Sequence, residues 1–283
     1  MKNKPKILCT GAPRSGTSLF NLLMKHFKDL KVHTEGGTPP RLFYECDVFT
    51  TQQRPDGKIW NEQIGMTPLS FKDILEREIK VIVIYRDGRD CFVSARQRRP
   101  EEVEKWDPET MLGDTYTSIK SETSYWYTLE EIKKWFNSID ETFKTLKKVK
   151  GTKLENNYLV IRYEDLVHNH KKEMKRVEDF IGLSIDPNYV NFYEAANYRR
   201  MMSSPEIMGD KRIPVREDSA IEGALGSDHT AHRPIAPDSI GRWKRPIHKD
   251  RMKEILKKYE NKLSDMLIEL NYEKNKKWLN EFK

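Results

Sequence analysis

The stretch Gly11-Ala-Pro-Arg-Ser-Gly-Thr-Ser18 follows the apolar run Ile7-Leu8-Cys9. It leads into a segment where Leu19, Phe20, Leu23, Met24 and Phe27 recur at three- and four-residue spacings. That spacing predicts an amphipathic helix, so a strand, a glycine-punctuated turn and a helix stand in order. Such a turn aims the first N–H groups of the helix at one point, and the helix dipole favours an anion there. Arg14 adds a planar cation, and Ser15, Thr17 and Ser18 add hydroxyl donors. Two glycines five residues apart match part of the phosphate loop of nucleotide-hydrolysing enzymes, but Thr17 stands where that loop places lysine. The stretch reads as a phosphate cradle that departs from the triphosphate pattern.

Composition sets the limits around this loop. A chain of 283 residues can bury a substantial core. With no Gly/Ser linker, repeat or low-complexity tract to divide it, one domain over residues 1–283 is expected. A net charge of +7 suits an enzyme that handles a small polyanion as well as it suits a nucleic-acid binder. No apolar run is long enough to span a membrane, and the basic start from Met1 to Lys6 precedes too short an apolar stretch for a signal peptide. The expected location is cytoplasmic. Cys9, Cys46 and Cys91 are far apart and odd in number, without the spacing of a disulfide framework or a zinc site.

Short apolar runs at residues 6–10, Val81–Tyr85 and Tyr158–Arg162 suit strands of a parallel sheet buried on both faces. Helical spacing fills the intervals: Tyr125, Leu129, Ile132 and Phe136 continue into Ile139, Phe143 and Leu146, and residues 249–271 read as one long amphipathic helix. Strands alternating with helices predict an α/β layered fold. Residues 35–70 and 201–241, rich in Gly and Pro, read as long active-site loops.

The run Val81–Tyr85 ends in Arg86-Asp-Gly-Arg-Asp-Cys-Phe-Val-Ser94, with Arg96, Arg98 and Arg99 beyond. Ligands of parallel sheets gather at the carboxyl ends of the strands, where Arg86 emerges. A helix starting near Asp90 puts Ser94 about one turn inside it, and Arg86 and Ser94 then converge on a second phosphate. The alternative pairs Arg86 with Asp87 or Asp90 and leaves the other arginines solvated.

Taken in order, the loop at 11–18, the Arg86/Ser94 pair, Arg162-Tyr-Glu-Asp-Leu166 and Ser239-Ile-Gly-Arg-Trp243 resemble the sulfotransferases that use 3′-phosphoadenosine 5′-phosphosulfate (PAPS). The resemblance spans roughly residues 6–245 and is nearest the bacterial and protein-tyrosine branches. It implies a three-layer α/β sandwich around a mainly parallel sheet, related to the phosphate-loop nucleotidases. It also implies transfer of a sulfuryl group from PAPS, release of adenosine 3′,5′-bisphosphate (PAP), and no required metal. Carried over by position, Arg14, Ser15, Gly16, Thr17 and Ser18 bind the 5′-phosphosulfate, and Arg86 and Ser94 grip the 3′-phosphate with Arg98 as a helper. Tyr163 lies near the adenine or serves as a core aromatic. Arg242 supplies a basic group near the transferred sulfate, Ser227 is a weaker match fifteen residues earlier, and Trp243 packs. The absent lysine fits, because a phosphosulfate has no triphosphate tail to grip.

Transfer needs a base for the acceptor proton, and Lys31-Val-His-Thr-Glu35 offers two. Glu35 matches the glutamate of the protein-tyrosine branch, and His33 matches the histidine of cytosolic members. The expected acceptor is a hydroxyl or amine of a small molecule or natural product. Neither nucleic acid nor a membrane is expected as partner, and a homodimer is left open. A protein tyrosine or carbohydrate acceptor, a small-molecule kinase and a non-catalytic nucleotide-binding protein are the rival readings.

Overall fold

All three strands read from the sequence form, and they lie parallel. In the computed structural model, residues 4–28, 30–33, 47–52, 70–94, 129–194, 235 and 237–282 are described. The sheet comprises β1 (Ile7–Gly11), β2 (Val32–His33), β3 (Val48–Gln52), β4 (Lys80–Tyr85) and β5 (Tyr158–Arg162), in the order β2-β3-β1-β4-β5. Every pairing is parallel. Seven α-helices are described, besides short 3-10 turns: α1 (Thr17–Met24), α2 (Phe71–Glu76), α3 (Gly88–Ser94), α4 (Leu129–Val149), α5 (Tyr163–His168), α6 (His170–Ile181) and α7 (Lys249–Glu269).

The unbroken apolar character of the strands follows from burial on two sides. Alternate residues Ile7, Cys9, Ile82, Ile84 and Ile161 pack into one cluster with Phe20 and Leu23 of α1 and Val177 of α6. Their neighbours Leu8, Val81 and Val83 face the other way, toward Ile74 of α2 and Leu146 of α4. Helix, sheet and helix thus make three layers. A further cluster joins α3, α4 and α7 through Phe92, Trp135, Phe136, Tyr259 and Met266.

Three details differ from the sequence reading. Residues 35–70 are not wholly irregular, since Val48–Gln52 forms β3 and pairs β1 from Ile7↔Val48 to Gly11↔Gln52. The physical reason is that central β1 needs partners for its backbone groups on both sides, and a parallel strand supplies them. Helix α3 begins at Gly88 rather than near Asp90, which puts Ser94 six residues beyond its start. A Cβ at Gly88 would stand 2.9 Å from Trp135 Cη2 and 3.1 Å from Met266 Cε, so only glycine allows this approach. Finally, α7 breaks its helical geometry at Tyr259 (φ −125°, ψ 17°), whose hydroxyl donates to the Leu129 carbonyl at 2.6 Å.

Candidate functional site

Register brings three connections to one edge of the sheet. Gly11 is level with Ile84, and Tyr85 is level with Arg162, so residues 12–16, Arg86–Asp87 and Tyr163 leave from the carboxyl ends of β1, β4 and β5. Strand order also changes direction at β1, which is where open α/β sheets form a crevice.

The loop after β1 is tied down through its carbonyls. Ala12 O accepts the Ser15 N–H at 3.1 Å, and Pro13 O accepts the Trp135 indole N–H at 3.2 Å. Arg14 O accepts from Arg86 Nη1 at 3.3 Å and from the Cys91 thiol at 3.6 Å. The negative ends of three successive peptides are therefore occupied by protein donors. Arg14 itself has φ 66°, a left-handed conformation that costs a non-glycine residue about 1–2 kcal/mol. The contacts on its carbonyl hold it there.

Gly16 caps α1 with φ 101°, and the first helical bond runs from Phe20 N to Gly16 O. The N–H groups ahead of that bond have no acceptor inside the helix. Its cap residue makes no side-chain hydrogen bond, and its first turn holds no acidic residue. The start of α2 is the opposite case: Ser70 and Asp73 close a capping box there, with the Asp73 N–H donating to Ser70 Oγ at 3.1 Å. One helix start is closed by its own sequence, and the other is left without a cap side chain or a first-turn acid. Beneath the α1 start, Ser15 is fully buried and its hydroxyl has no hydrogen-bond partner among the described residues.

Gly16 also makes room for Tyr163. A Cβ at position 16 would lie 2.2 Å from the Tyr163 Cδ2 atom. The Tyr163 ring in turn supports the Arg86 guanidinium, whose carbon stands 4.4 Å from the ring centroid. Arg86 is 5% exposed. Its hydrogen bonds among the described residues go to carbonyl oxygens, Arg14 O and Ser239 O, and its Nε has no partner. Burial opposes its charge, but Tyr163, Cys91, Asp90 and Glu164 turn the net shift upward, so it stays protonated.

The late segment closes the site from above this cation. The hydroxyls of Tyr163 and Ser239 share a 2.9 Å hydrogen bond. The Asp90 carboxylate accepts the N–H groups of Gly241 at 2.7 Å and Trp243 at 3.2 Å, which brackets Arg242 between two fixed residues. Burial pushes the Asp90 carboxyl above its ordinary range, and Arg86 leads the groups that pull it back. Burial likewise pushes the Cys91 thiol up, so it remains neutral.

The structure thus gathers Arg14, Ser15, Gly16, Thr17, Ser18, Arg86, Tyr163 and Arg242 around one strand edge. Thr17 is buried as the first residue of α1, and Ser18 is half-buried. His33 lies in β2 and Ser94 in α3, with their side chains outside the described residues. Glu35, Arg98 and Ser227 also lie outside them. The alternative pairing of Arg86 is corrected: Asp87 takes Arg89 instead, with Nε at 3.0 Å and Nη2 at 2.7 Å, and Asp90 takes backbone amides. Sequence reasoning gave no role to Ser239, Trp135 or Glu164, and it named Asp90 near the start of the expected helix and as a partner for Arg86, four residues earlier. Among the described residues, no group of three or more His, Cys, Asp or Glu could hold a metal ion. No described helix is long and apolar enough to cross a membrane.

Similar proteins include Sulfotransferase 1A1 of Mus musculus, 23% identical over 252 residues, which span 84% of this chain and 77% of that one. Sulfotransferase 1A1 of Rattus norvegicus is 25% identical over 198 residues, 65% of this chain and 62% of its own. Among solved structures, a mouse sulfotransferase complexed with PAP aligns at TM-score 0.44 and 16% identity, covering 91% of this chain and 85% of that one. The sulfotransferase domain from the curacin biosynthetic pathway aligns at 0.44 and 12%, covering 92% and 99%. The family model described as the sulfotransferase domain matches residues 4–267, a span that takes in the loop at 11–18, the Arg86 turn, Tyr163 and the late segment. On that match the chain belongs to the sulfotransferase family.

Proposed function

We propose that the protein transfers a sulfuryl group from PAPS to a hydroxyl or amine of a small-molecule acceptor, with PAP as the second product. The observation that carries this reading is Arg86: a buried guanidinium held by neutral oxygens, beside a helix start without an acidic residue. A cation so placed keeps its charge available for an anion. The buried Ser15 hydroxyl, without a partner among the described residues, suits a phosphate-bearing nucleotide that brings its own acceptors.

The donor supplies the sulfuryl group: the acceptor atom bonds to sulfur as the S–O bond to the 5′-phosphate breaks and PAP departs. Arg14 and the start of α1 hold the 5′-phosphate and offset the charge that builds on it as it leaves. Arg86, with Ser94 and Arg98, holds the 3′-phosphate. Tyr163 borders the base, and Arg242 supplies a basic group near the transferred sulfate, with Ser227 as a weaker match. Glu35 takes the acceptor proton, with His33 as its rival. General-base catalysis contributes about 10² to 10⁴ in rate, so Glu35→Ala lowers turnover by about that factor and leaves PAP affinity in place.

The experiment is incubation with radiolabelled PAPS and a metabolite extract, together with PAP calorimetry. Saturable PAP binding and one labelled small product support the proposal. Absence of PAP binding overturns the donor, and PAP binding with label only on protein or glycan overturns the acceptor class.

A further inference from the structure

We infer that the segment Tyr272–Phe282, which lies past the family match ending at residue 267, belongs to the nucleotide site, with Tyr272 and Glu273 as positioning residues for the Arg86 turn. This inference rests on the donor assignment above, but its observations are separate from it.

The chain reverses sharply after α7. Asn271 adopts a left-handed φ of 58°, and the N–H groups of Tyr272 and Glu273 both donate to Leu267 O, at 2.8 and 3.1 Å. The reversal returns the chain to the sheet edge. There the Tyr272 hydroxyl donates to Glu164 Oε2 at 2.9 Å, and Glu164 Oε1 accepts the Asp87 N–H at 3.0 Å. On the other branch, Arg89 Nη1 donates to Glu273 Oε1 at 2.5 Å. The same guanidinium binds both oxygens of Asp87, and the Arg89 N–H donates to Asp87 Oδ1 at 2.8 Å.

These bonds form a circuit: Tyr272, Glu164, the Asp87 backbone, the Asp87 carboxylate, Arg89 and Glu273. It starts and ends on adjacent residues, and it encloses the peptide that immediately follows Arg86. Both loose ends of the turn, the Asp87 N–H and its carboxylate, are fixed through groups that depend on the C-terminal segment. The same segment packs around the circuit. The Arg89 guanidinium lies 4.0 Å from the Trp243 ring centroid and 4.9 Å from that of Trp278. Phe282 stacks on Trp243 at 5.9 Å, and Arg162 lies 4.0 Å over the Tyr272 ring. Since Trp243 is also held by Asp90, the segment braces the Arg86 turn and the Arg242 segment together.

A circuit of this kind acts on ground-state grip more than on the transferred group. Removing it lets Arg86 wander, so nucleotide affinity falls while the chemical step is little altered. The test uses full-length Tyr272→Phe, Glu273→Gln and the double variant, which keep side-chain size. Each is first checked for a cooperative melt. The expected result is a PAP Kd raised about 10-fold in the double variant and a matching rise in KM for PAPS, with kcat within about twofold of wild type. Amide exchange at Asp87 accelerates as well, while exchange in β1 is unchanged. Folded variants with wild-type PAP affinity and wild-type exchange at Asp87 overturn the inference, as does a fall in kcat with KM intact. If the wild-type protein itself fails to bind PAP, the donor assignment falls, and exchange at Asp87 in the ligand-less protein still decides whether the circuit holds the turn.

Discussion

Two arginines three residues apart meet opposite surroundings. Arg89, 3% exposed, is neutralised by Asp87 and Glu273 and lies over two indole rings. Arg86, 5% exposed, is held by two carbonyl oxygens and a tyrosine ring, and forms no ion pair with a described residue. A buried charge is tolerated when paired and well bonded, and it remains costly when only neutral dipoles surround it. The contrast separates an arginine that the fold pairs for itself from one whose charge it leaves without an ion pair among the described residues, as the proposed donor site requires. The same division separates the closed start of α2 from the receptive start of α1.

The largest effect that can break this comparison lies at Arg89. Arg89→Met strands two carboxylates near the core, and urea denaturation is expected to show a loss of about 3–5 kcal/mol. A loss below about 1 kcal/mol would mean that Arg89 is no more structural than Arg86. Next, Arg86→Met is expected to weaken PAP binding about 10- to 100-fold, since one charge-assisted contact contributes about 1.5–3 kcal/mol. Its stability cost is expected to be smaller than that of Arg89→Met, because no carboxylate loses a partner. Equal PAP affinity in calorimetry would remove Arg86 from the site.

A smaller change sharpens the picture at the tyrosine. Tyr163→Phe keeps the ring under Arg86 and against Gly16 but removes the bond to Ser239. The expected loss is about 0.5–1.5 kcal/mol in stability, with PAP affinity reduced less than in Arg86→Met. The smallest effect is the pH control. Burial lowers the pKa of His26, partly offset by Asp186, and burial followed by the charge of Lys171 lowers that of His170. A lowered imidazole value means that the unfolded chain takes up protons first as pH drops below 6.5. Stability present above that value is therefore lost on acidification. Neither guanidinium titrates there, and wild type should lose stability between pH 7 and 5.5, measured by thermal melts. Only the His26→Asn, His170→Asn double variant should flatten that loss.

Much of the frame was legible in the chain. Val81–Tyr85 and Tyr158–Arg162 announce themselves as strands because branched apolar residues run unbroken through both faces. The loop at 11–18 is legible as a candidate anion site through its glycines, hydroxyls and Arg14. By contrast, Val48-Phe-Thr-Thr-Gln52 is half polar and lies in a Gly/Pro-rich region, so nothing local marks it as the strand beside β1. Its role comes from an open edge supplied 41 residues away in the sequence. The start of α3 was misplaced for a similar reason, since Gly88 is explained by Trp135 and Met266 pressing against it rather than by its neighbours in the chain.

The sequence by itself determined the order of elements, the apolar faces that bury the sheet, and the donor-rich turn with its family resemblance, because these follow from local periodicity and residue chemistry. It placed Arg86, Asp87, Arg89 and Asp90 within five positions and left their pairing undecided. Only the tertiary structure chose. It brought Glu273 to Arg89 from 184 residues away, turned Asp90 to the Gly241 amide 151 residues away, and left Arg86 between carbonyls. Electrostatic pairing in a buried site depends on which groups arrive from distant elements, and no short window of sequence contains them.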